Sequence, residues 1–259
     1  ECSAMSEAHL GVTFDIHGGG QDLIFPHHEN EIAQSVCAHD GAPFVRTWMH
    51  NGYLTVDGEK MSKSLGNFHT VHDLLAEGIP GEAIRLALLS AHYRQPLDFS
   101  KQALAEAKGQ LDRLYGALRG ASREVLDHSR VTQIGESNAV LQSLMDDLNT
   151  PQAIRFLHAL ANSVHKAADD AERTGHQTVL RFNAYLLGLL QQDPEDWFKG
   201  DAADHGSLSN DEIDDMIRRR AEARKTKNFA EADRIRDALA DAGVVLEDAA
   251  GGTTWKRSR

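Results

Sequence analysis

The residues with the clearest chemical potential are Lys60-Met61-Ser62-Lys63-Ser64, followed by Leu65-Gly66-Asn67. Two lysines flank small hydroxyl residues just after a glycine-bearing turn. Such a loop can close over a polyphosphate and neutralise the charge that develops as pyrophosphate leaves. An arbitrary pair of lysines at this spacing is more often a solvated basic loop. A second run, His17-Gly18-Gly19-Gly20-Gln21-Asp22, ends a strand in three glycines ahead of a helix. Glycines let a ligand approach the backbone, and an acid just beyond them can bind ribose hydroxyls, although a flexible turn has the same composition. A third run is Pro26-His27-His28-Glu29-Asn30-Glu31. On a helix, His27 and Glu31 converge at positions i and i+4, whereas His28 and Glu29 point elsewhere. One imidazole and one carboxylate are half of a metal site, and Cys2 would add a thiolate to make a set suited to zinc. The competing reading is a polar cluster at a helix end, with acids favouring the dipole.

These residues need elements to hold them. Val12-Thr13-Phe14-Asp15-Ile16 reads as a strand, bounded by His17 to Gly20. Phe25 to His39 reads as a helix with Pro26 in its first turn. Trp48-Met49-His50 and Tyr53-Leu54-Thr55-Val56 read as strands, and Val56 to Glu59 as a turn. Strand–helix–strand alternation implies α/β. From Ser100 the texture changes: Leu104, Ala107, Leu111, Leu114, Tyr115 and Leu118 recur at helical spacing. Asn149 or Thr150 with Pro151 starts another helix, carrying Ile154, Leu157, Leu160 and Val164 on one face. Val179 to Gln191 reads as a further helix. Gly200 to Asn210 reads as a polar linker, followed by helices over roughly 211–227 and 229–242. A hairpin closes the chain, from Val244-Val245-Leu246 through a Gly251-Gly252 turn to Thr253-Thr254-Trp255. The expected fold is thus α/β then all-α: residues 1–99, then a helical bundle over 100–200, then a small mixed module over 211–259.

The chain's 259 residues suffice for more than one domain. No run of about 18 apolar residues is present, which argues against a membrane span, and no secretory leader opens the chain. Glu1-Cys2-Ser3-Ala4-Met5 reads as the middle of a longer protein. With two cysteines, Cys2 and Cys37, a disulfide scaffold is not expected, and a reducing cytoplasm is the natural compartment. Net charge is −12, unevenly spread: 11 basic and 7 acidic residues from Arg218 to Arg259 leave the tail at +4 and the remainder at −16. A basic end on an acidic body permits a local phosphate-binding surface, though basic helix faces are more often simply solvated.

The motifs occur in one order and spacing that resembles the cysteinyl-tRNA synthetase family. The resemblance runs from Glu1-Cys2-Ser3-Ala4-Met5 through Phe14 to Leu23, Phe25 to Glu31 and the lysine loop. It continues at Ala91-His92-Tyr93-Arg94, at Asp146-Asp147-Leu148-Asn149-Thr150-Pro151, at Gly243 to Asp248 and at Gly252-Thr253-Thr254-Trp255. It implies the later part of a Rossmann-like class I catalytic core, a helical bundle and an anticodon-binding module. It implies a ligase that uses ATP with Mg2+ to form cysteinyl-adenylate and then passes cysteine to its tRNA, in a monomer. By resemblance, Lys60 and Lys63 act in catalysis, with Lys63 on ATP, and Gly19, Gly20 and Asp22 lie near the adenosine. Zinc in that family has two cysteines, a histidine and a glutamate, of which Cys2, His27 and Glu31 match three. The remaining cysteine lies upstream in the family, as does a His-Ile-Gly-His type signature, so this chain alone is expected to be an incomplete enzyme. His17 is expected to line the substrate pocket, the other reading being a capping or core histidine. In the last module, Trp255 is a candidate platform for an unstacked base, and Arg224, Asp233 and Asp248 candidates for base-edge contacts; the stronger reading is that Trp255 plugs a small core and the charges lie on the surface. Two rivals are a ligase joining cysteine to a glucosaminyl-inositol sugar in mycothiol synthesis, and a non-catalytic tRNA-binding derivative.

Overall fold

The computed structural model describes residues 1–56, 58–60, 70–121, 138–200, 208–249 and 252–257. They fall into two compact units, one from Glu1–Lys108 and Gly135–Phe156, the other from Gly109–Ile134 and Leu157–Arg259. No described helix is long and apolar enough to cross a membrane.

In the first unit, helix α1 (Cys2–Leu10) precedes strand β1 (Phe14–Gly20), and helix α2 (Glu29–Ala38) leads to strand β2 (Val45–Asn51). Strands β1 and β2 pair in parallel, from Phe14 opposite Val45 to Gly20 opposite Asn51. Phe14, Phe44 and Val45 form a small core beneath them, with Trp48 packed against it. The strand therefore runs through all three glycines instead of ending before them. Helix α1 is tied to α2 by the Ser3 hydroxyl, which donates to Gln34 Oε1 at 3.1 Å.

Strands β3 (Leu54–Val56), β4 (Glu59–Lys60) and β5 (Leu97–Asp98) form a second sheet in the order β4-β3-β5. Between them lie α3 (Val71–Ala76) and α4 (Gly81–Leu89). Thr70 and Asp73 close a reciprocal capping box at the start of α3. Two segments approach closely at Gly52, whose amide donates to the Tyr93 carbonyl at 2.7 Å. A Cβ there would lie 2.3 Å from the Gln95 carbonyl oxygen. Gly52→Ala should therefore destabilise the unit by about 1–3 kcal/mol, because backbone cannot yield as a side chain can. Urea unfolding measures this, with Gly109→Ala, which meets nothing within 4 Å, as the control. Equal stability of the two variants would show that residues 92–96 shift freely.

Helix α5 (Lys101–Leu118) buries all six residues read at helical spacing, from Leu104 to Leu118. Helix α6 (Ala139–Met145) turns sharply into α7 (Thr150–Lys166), which buries Ile154, Leu157 and Val164. Helix α8 (Asp170–Leu186) begins nine residues before the expected Val179 start, capped by Asp169, whose carboxylate accepts from the Glu172 amide at 2.8 Å. Helix α9 (Pro194–Lys199) buries Trp197 and Phe198. In the second unit, the rings of Tyr115 and Trp197 stack with centroids 4.5 Å apart, and Trp197 Nε1 donates to Asp112 at 2.8 Å.

The last 50 or so residues form a helical hairpin and a β-hairpin. Helix α10 (Asn210–Lys225) starts at a Ser209–Glu212 capping box, and α11 (Phe229–Asp241) starts at Asn228, whose side chain accepts from the Glu231 amide. Strands β6 (Val244–Ala249) and β7 (Gly252–Arg257) pair antiparallel, closed by Ala249 opposite Gly252. Ile213, Ile235, Leu239, Val244 and Trp255 are the module's core.

Candidate functional site

The glycine strand and the histidine run meet at one place. The segment between β1 and α2 is not a continuous α-helix from Phe25: Phe25 is extended (φ −131°, ψ 132°), which kinks the chain ahead of α2, and α2 begins at Glu29. The pair that meets is His28 and Glu31, whose i, i+3 spacing also shares a helix face. His28 is buried and His27 exposed, the reverse of what a regular i, i+4 pair at His27 and Glu31 would give. Among the described residues, His17, His28 and Glu31 form the group of potential metal ligands, with ligand atoms all within 4.8 Å of one another. Cys2 lies at the exposed start of α1, outside that group. Glu31 is thus brought together with His17 and His28, and not with Cys2 and His27.

The group is built from both strands and the segment between them. His17 Nε2 and Glu31 Oε2 are 2.8 Å apart, and His28 Nδ1 and His50 Nε2 are 2.8 Å apart. Rings crowd around them: His17 and Trp48 centroids are 4.8 Å apart, His28 and Trp48 4.9 Å, and Trp48 stacks on His50 at 5.8 Å. Burial, and then the neighbouring His17, hold the His28 pKa below that of a free imidazole. A neutral imidazole with one nitrogen committed to a neighbour is the state in which histidine ligates metal. Two imidazoles and a carboxylate fit a zinc ion with one position left for a substrate.

Gly19 allows the packing. A Cβ on it would lie 2.8 Å from His28 Cε1 and 3.0 Å from Leu23 Cδ1. The bare strand admits a protein side chain here, where the sequence suggested room for a ligand. At Gly20 the Asp22 carboxylate comes within 2.5 Å of where a Cβ would be, so Asp22 folds back over the strand end. Gln21 Nε2 donates to the Arg94 carbonyl at 3.0 Å. Lys60 ends β4, paired in register with Thr55; Lys63 lies outside the described residues.

In the terminal module the expected base platform is closed. Trp255 is 2% exposed, and its Nε1 donates to Asp214 Oδ1 at 2.6 Å. It fills the core because β7 alternates and the position faces α10 and α11, so the plug reading is correct and the stacking reading is not. Asp248 is already occupied. Arg220 reaches both its oxygens at 3.0 and 2.9 Å, Arg224 donates at 3.2 Å and the Thr253 hydroxyl at 2.6 Å. Four donors match the acceptor capacity of a carboxylate, and Arg220 foremost, then Thr253, holds the Asp248 carboxyl well below the usual range. Asp248 therefore orients the arginines more readily than it accepts from a base. Arg224 and Asp233 are exposed, and Asp233 pairs with Arg236 at 3.0 Å. The residue missed from sequence is Phe229, 62% exposed at the start of α11 and one turn before Asp233 on the same face. An aromatic flanked by Lys225, Lys227 and Asn228, outside the apolar spacing of its helix, was the available signal.

Three family models match this chain. Residues 1–109 match the family described as tRNA synthetases class I (C) catalytic domain, 139–191 the DALR domain, and 209–255 the cysteinyl-tRNA ligase anticodon binding domain. The chain is 61% identical over 99% of its length to a protein of Paramagnetospirillum magneticum named cysteine–tRNA ligase. It is 59% identical over its whole length to one of the same name from Rhodospirillum centenum. It spans 55% of the length of each of these relatives. A solved LeuRS from Agrobacterium radiobacter K84, in a ternary complex with tRNA and LeuAMS, is similar in fold. Its TM-score is 0.50 at 20% identity, over 67% of this chain and 25% of that one. With matches to the catalytic domain and to the anticodon-binding domain in one chain, and this identity across its whole length, the chain belongs to the cysteinyl-tRNA synthetase family.

Proposed function

We propose that this chain is the part of a cysteine–tRNA ligase that holds the substrate thiol, one side of the nucleotide and the anticodon. One observation carries the reading: the likeness to cysteine–tRNA ligases runs through the ligand cluster at His17, His28 and Glu31 and on through the base-reading module. The match of residues 209–255 to an anticodon-binding domain weighs against the mycothiol-type ligase.

In the proposed reaction the carboxylate of L-cysteine attacks the α-phosphate of ATP, giving cysteinyl-adenylate and pyrophosphate. A terminal ribose hydroxyl of the tRNA then takes the acyl group and AMP leaves. Lys63, with Lys60, offsets charge on the departing pyrophosphate, and Asp22, two residues beyond β1, accepts from ribose hydroxyls. Glu31 would hold a zinc ion, with imidazoles from His17 and His28 as the cluster stands or with Cys2 and His27 as the family pattern implies. Such an ion would supply affinity for a thiolate, which would separate cysteine from serine where apolar contacts alone would not. The enzyme would act as a monomer in the cytoplasm.

In the terminal module, Phe229 takes the place first given to Trp255: an exposed ring for a base to stack on, with Asp233 and Arg224 for base edges. The test is a titration of the chain with cysteine tRNA and with an anticodon-altered copy, alongside a shortened chain ending before Ser209. The full chain should prefer the cysteine anticodon, with affinity falling as salt rises, and the shortened chain should lose the preference. Equal binding of both RNAs by both chains would remove the anticodon-reading role.

A further inference from the structure

His92-Tyr93-Arg94 and Asp146-Asp147-Leu148 take no part in the proposed reaction steps, yet the structure brings them together. Asp147 and Leu148 lie in the left-handed region, with φ of 50° and 54°. Two successive non-glycine residues there are unfavourable, the more so for a bulky leucine, and such a turn persists only where its surroundings hold it. Backbone bonds close it: the Leu148 amide donates to the Leu144 carbonyl at 3.1 Å, and the Asn149 amide to Ser143 at 2.9 Å. The Asp147 carboxylate then accepts from Tyr93 Oη at 2.7 Å, Arg94 Nε at 2.7 Å and Arg94 Nη2 at 3.3 Å. His92 Nε2 is 3.9 Å from the same carboxylate. The Arg94 fork, then the Tyr93 hydroxyl, holds the Asp147 carboxyl below its ordinary pKa.

The other side of residues 92–95 faces the glycine strand. The Arg94 carbonyl accepts from Gln21 Nε2 at 3.0 Å, and the Tyr93 carbonyl from the Gly52 amide at 2.7 Å. Arg94 is therefore held by its side chain to the α6–α7 turn and by its backbone to the residue between Gly20 and Asp22. An isolated exposed ion pair contributes little. Here one carboxylate gathers a bidentate guanidinium and a phenol on a strained turn, and that geometry defines a position.

We propose that Asp147 is a positioning residue: through Arg94 it fixes Gln21, and so sets the Gly20–Asp22 end of the nucleotide edge against the substrate. The proposal rests on reading that edge as the nucleotide site. It makes the α6–α7 turn part of the catalytic alignment although it touches neither substrate nor reacting atoms.

Hydrogen exchange on this chain tests the linkage without activity. Asp147→Asn should speed exchange of the amides of residues 20–23 as well as those of residues 92–95 and 146–149, and Arg94→Lys, which keeps the charge and loses the fork, should fall between. Lys101→Ala, which breaks the exposed ion pair to Glu77 in the same unit, should leave the edge unchanged. Changes confined to residues 92–95 and 146–149 would overturn the linkage. In the ATP–pyrophosphate exchange reaction of the ligase that contains this chain, Asp147→Asn should lower kcat by about tenfold with a much smaller change in the KM for ATP, as expected of misplacement. Arg94→Lys should lose less of the rate than Asp147→Asn. Faster exchange at the edge with an unaltered pyrophosphate rate would keep the linkage, refute the catalytic half of the proposal, and count against the nucleotide reading of the edge.

Discussion

Replacing Trp255 with alanine is expected to unfold the terminal module. The ring is 2% exposed among Ile213, Ile235, Leu239 and Val244, and its Nε1 is bonded to Asp214. Deleting a buried tryptophan costs about 3–5 kcal/mol; Asp214 is exposed and is simply taken up by water. A module of this size has little margin. Urea unfolding should show the module's transition lost or shifted well below that of the rest of the chain. Phe229→Ala is the contrast. At 62% exposure, its loss should change stability by about 0.5 kcal/mol or less, yet weaken binding of cysteine tRNA by about 1–3 kcal/mol if a base stacks on it. A stable Trp255→Ala chain that no longer prefers its anticodon would reverse the two assignments.

The second large effect is expected at Glu31. Glu31→Gln keeps shape and removes the charge that a divalent ion needs. Even partners behind a ligand change metal affinity by about 10–100-fold, so zinc affinity should fall by at least about that much, read by competition with a chromophoric chelator. Undiminished zinc in Glu31→Gln would remove the metal from this site. The accompanying substitutions decide which side chains complete it. Loss with His17→Ala and His28→Ala would keep the cluster as it stands. Loss with Cys2→Ser and His27→Ala would mean that the ion takes the ligand set of the family pattern, with His27 in place of His28.

That histidine pair shows where sequence reasoning stopped. Apolar spacing located α5 and α7, because there one face must be buried and the pattern records it; the β-branched runs on either side of Gly251-Gly252 located the closing hairpin. The facing of His27 and His28 followed from taking only the i, i+4 partner of Glu31, whereas its i, i+3 partner His28 shares the same face, and the kink at Phe25 lies just ahead of the pair. Trp255 failed as a platform for another reason. An aromatic on a short strand can face out or in, and its composition is the same in both cases; only the packing of α10 and α11 decides. Phe229 was overlooked because it lies outside the apolar repeat of α11. Asp147 was legible as part of a motif, but its partners are more than 50 positions away, and no local pattern links them. The order of the three motifs carried the family; their individual geometry did not follow from it.

The placement of the chain's three tryptophans has an optical consequence. Trp48 lies against His17, His28 and His50, Trp197 is stacked on Tyr115, and Trp255 is enclosed in the terminal module. Each indole therefore reports on a different neighbourhood. A protonated imidazole quenches a contacting indole by accepting its excited electron, so the emission of Trp48 is coupled to the charge of its histidines while the other two follow only their own packing. Chains keeping a single indole, with phenylalanine at the other two positions to hold an aromatic in each core, would separate loading of the histidine cluster, loosening of the bundle and melting of the terminal module by fluorescence alone, with no label attached.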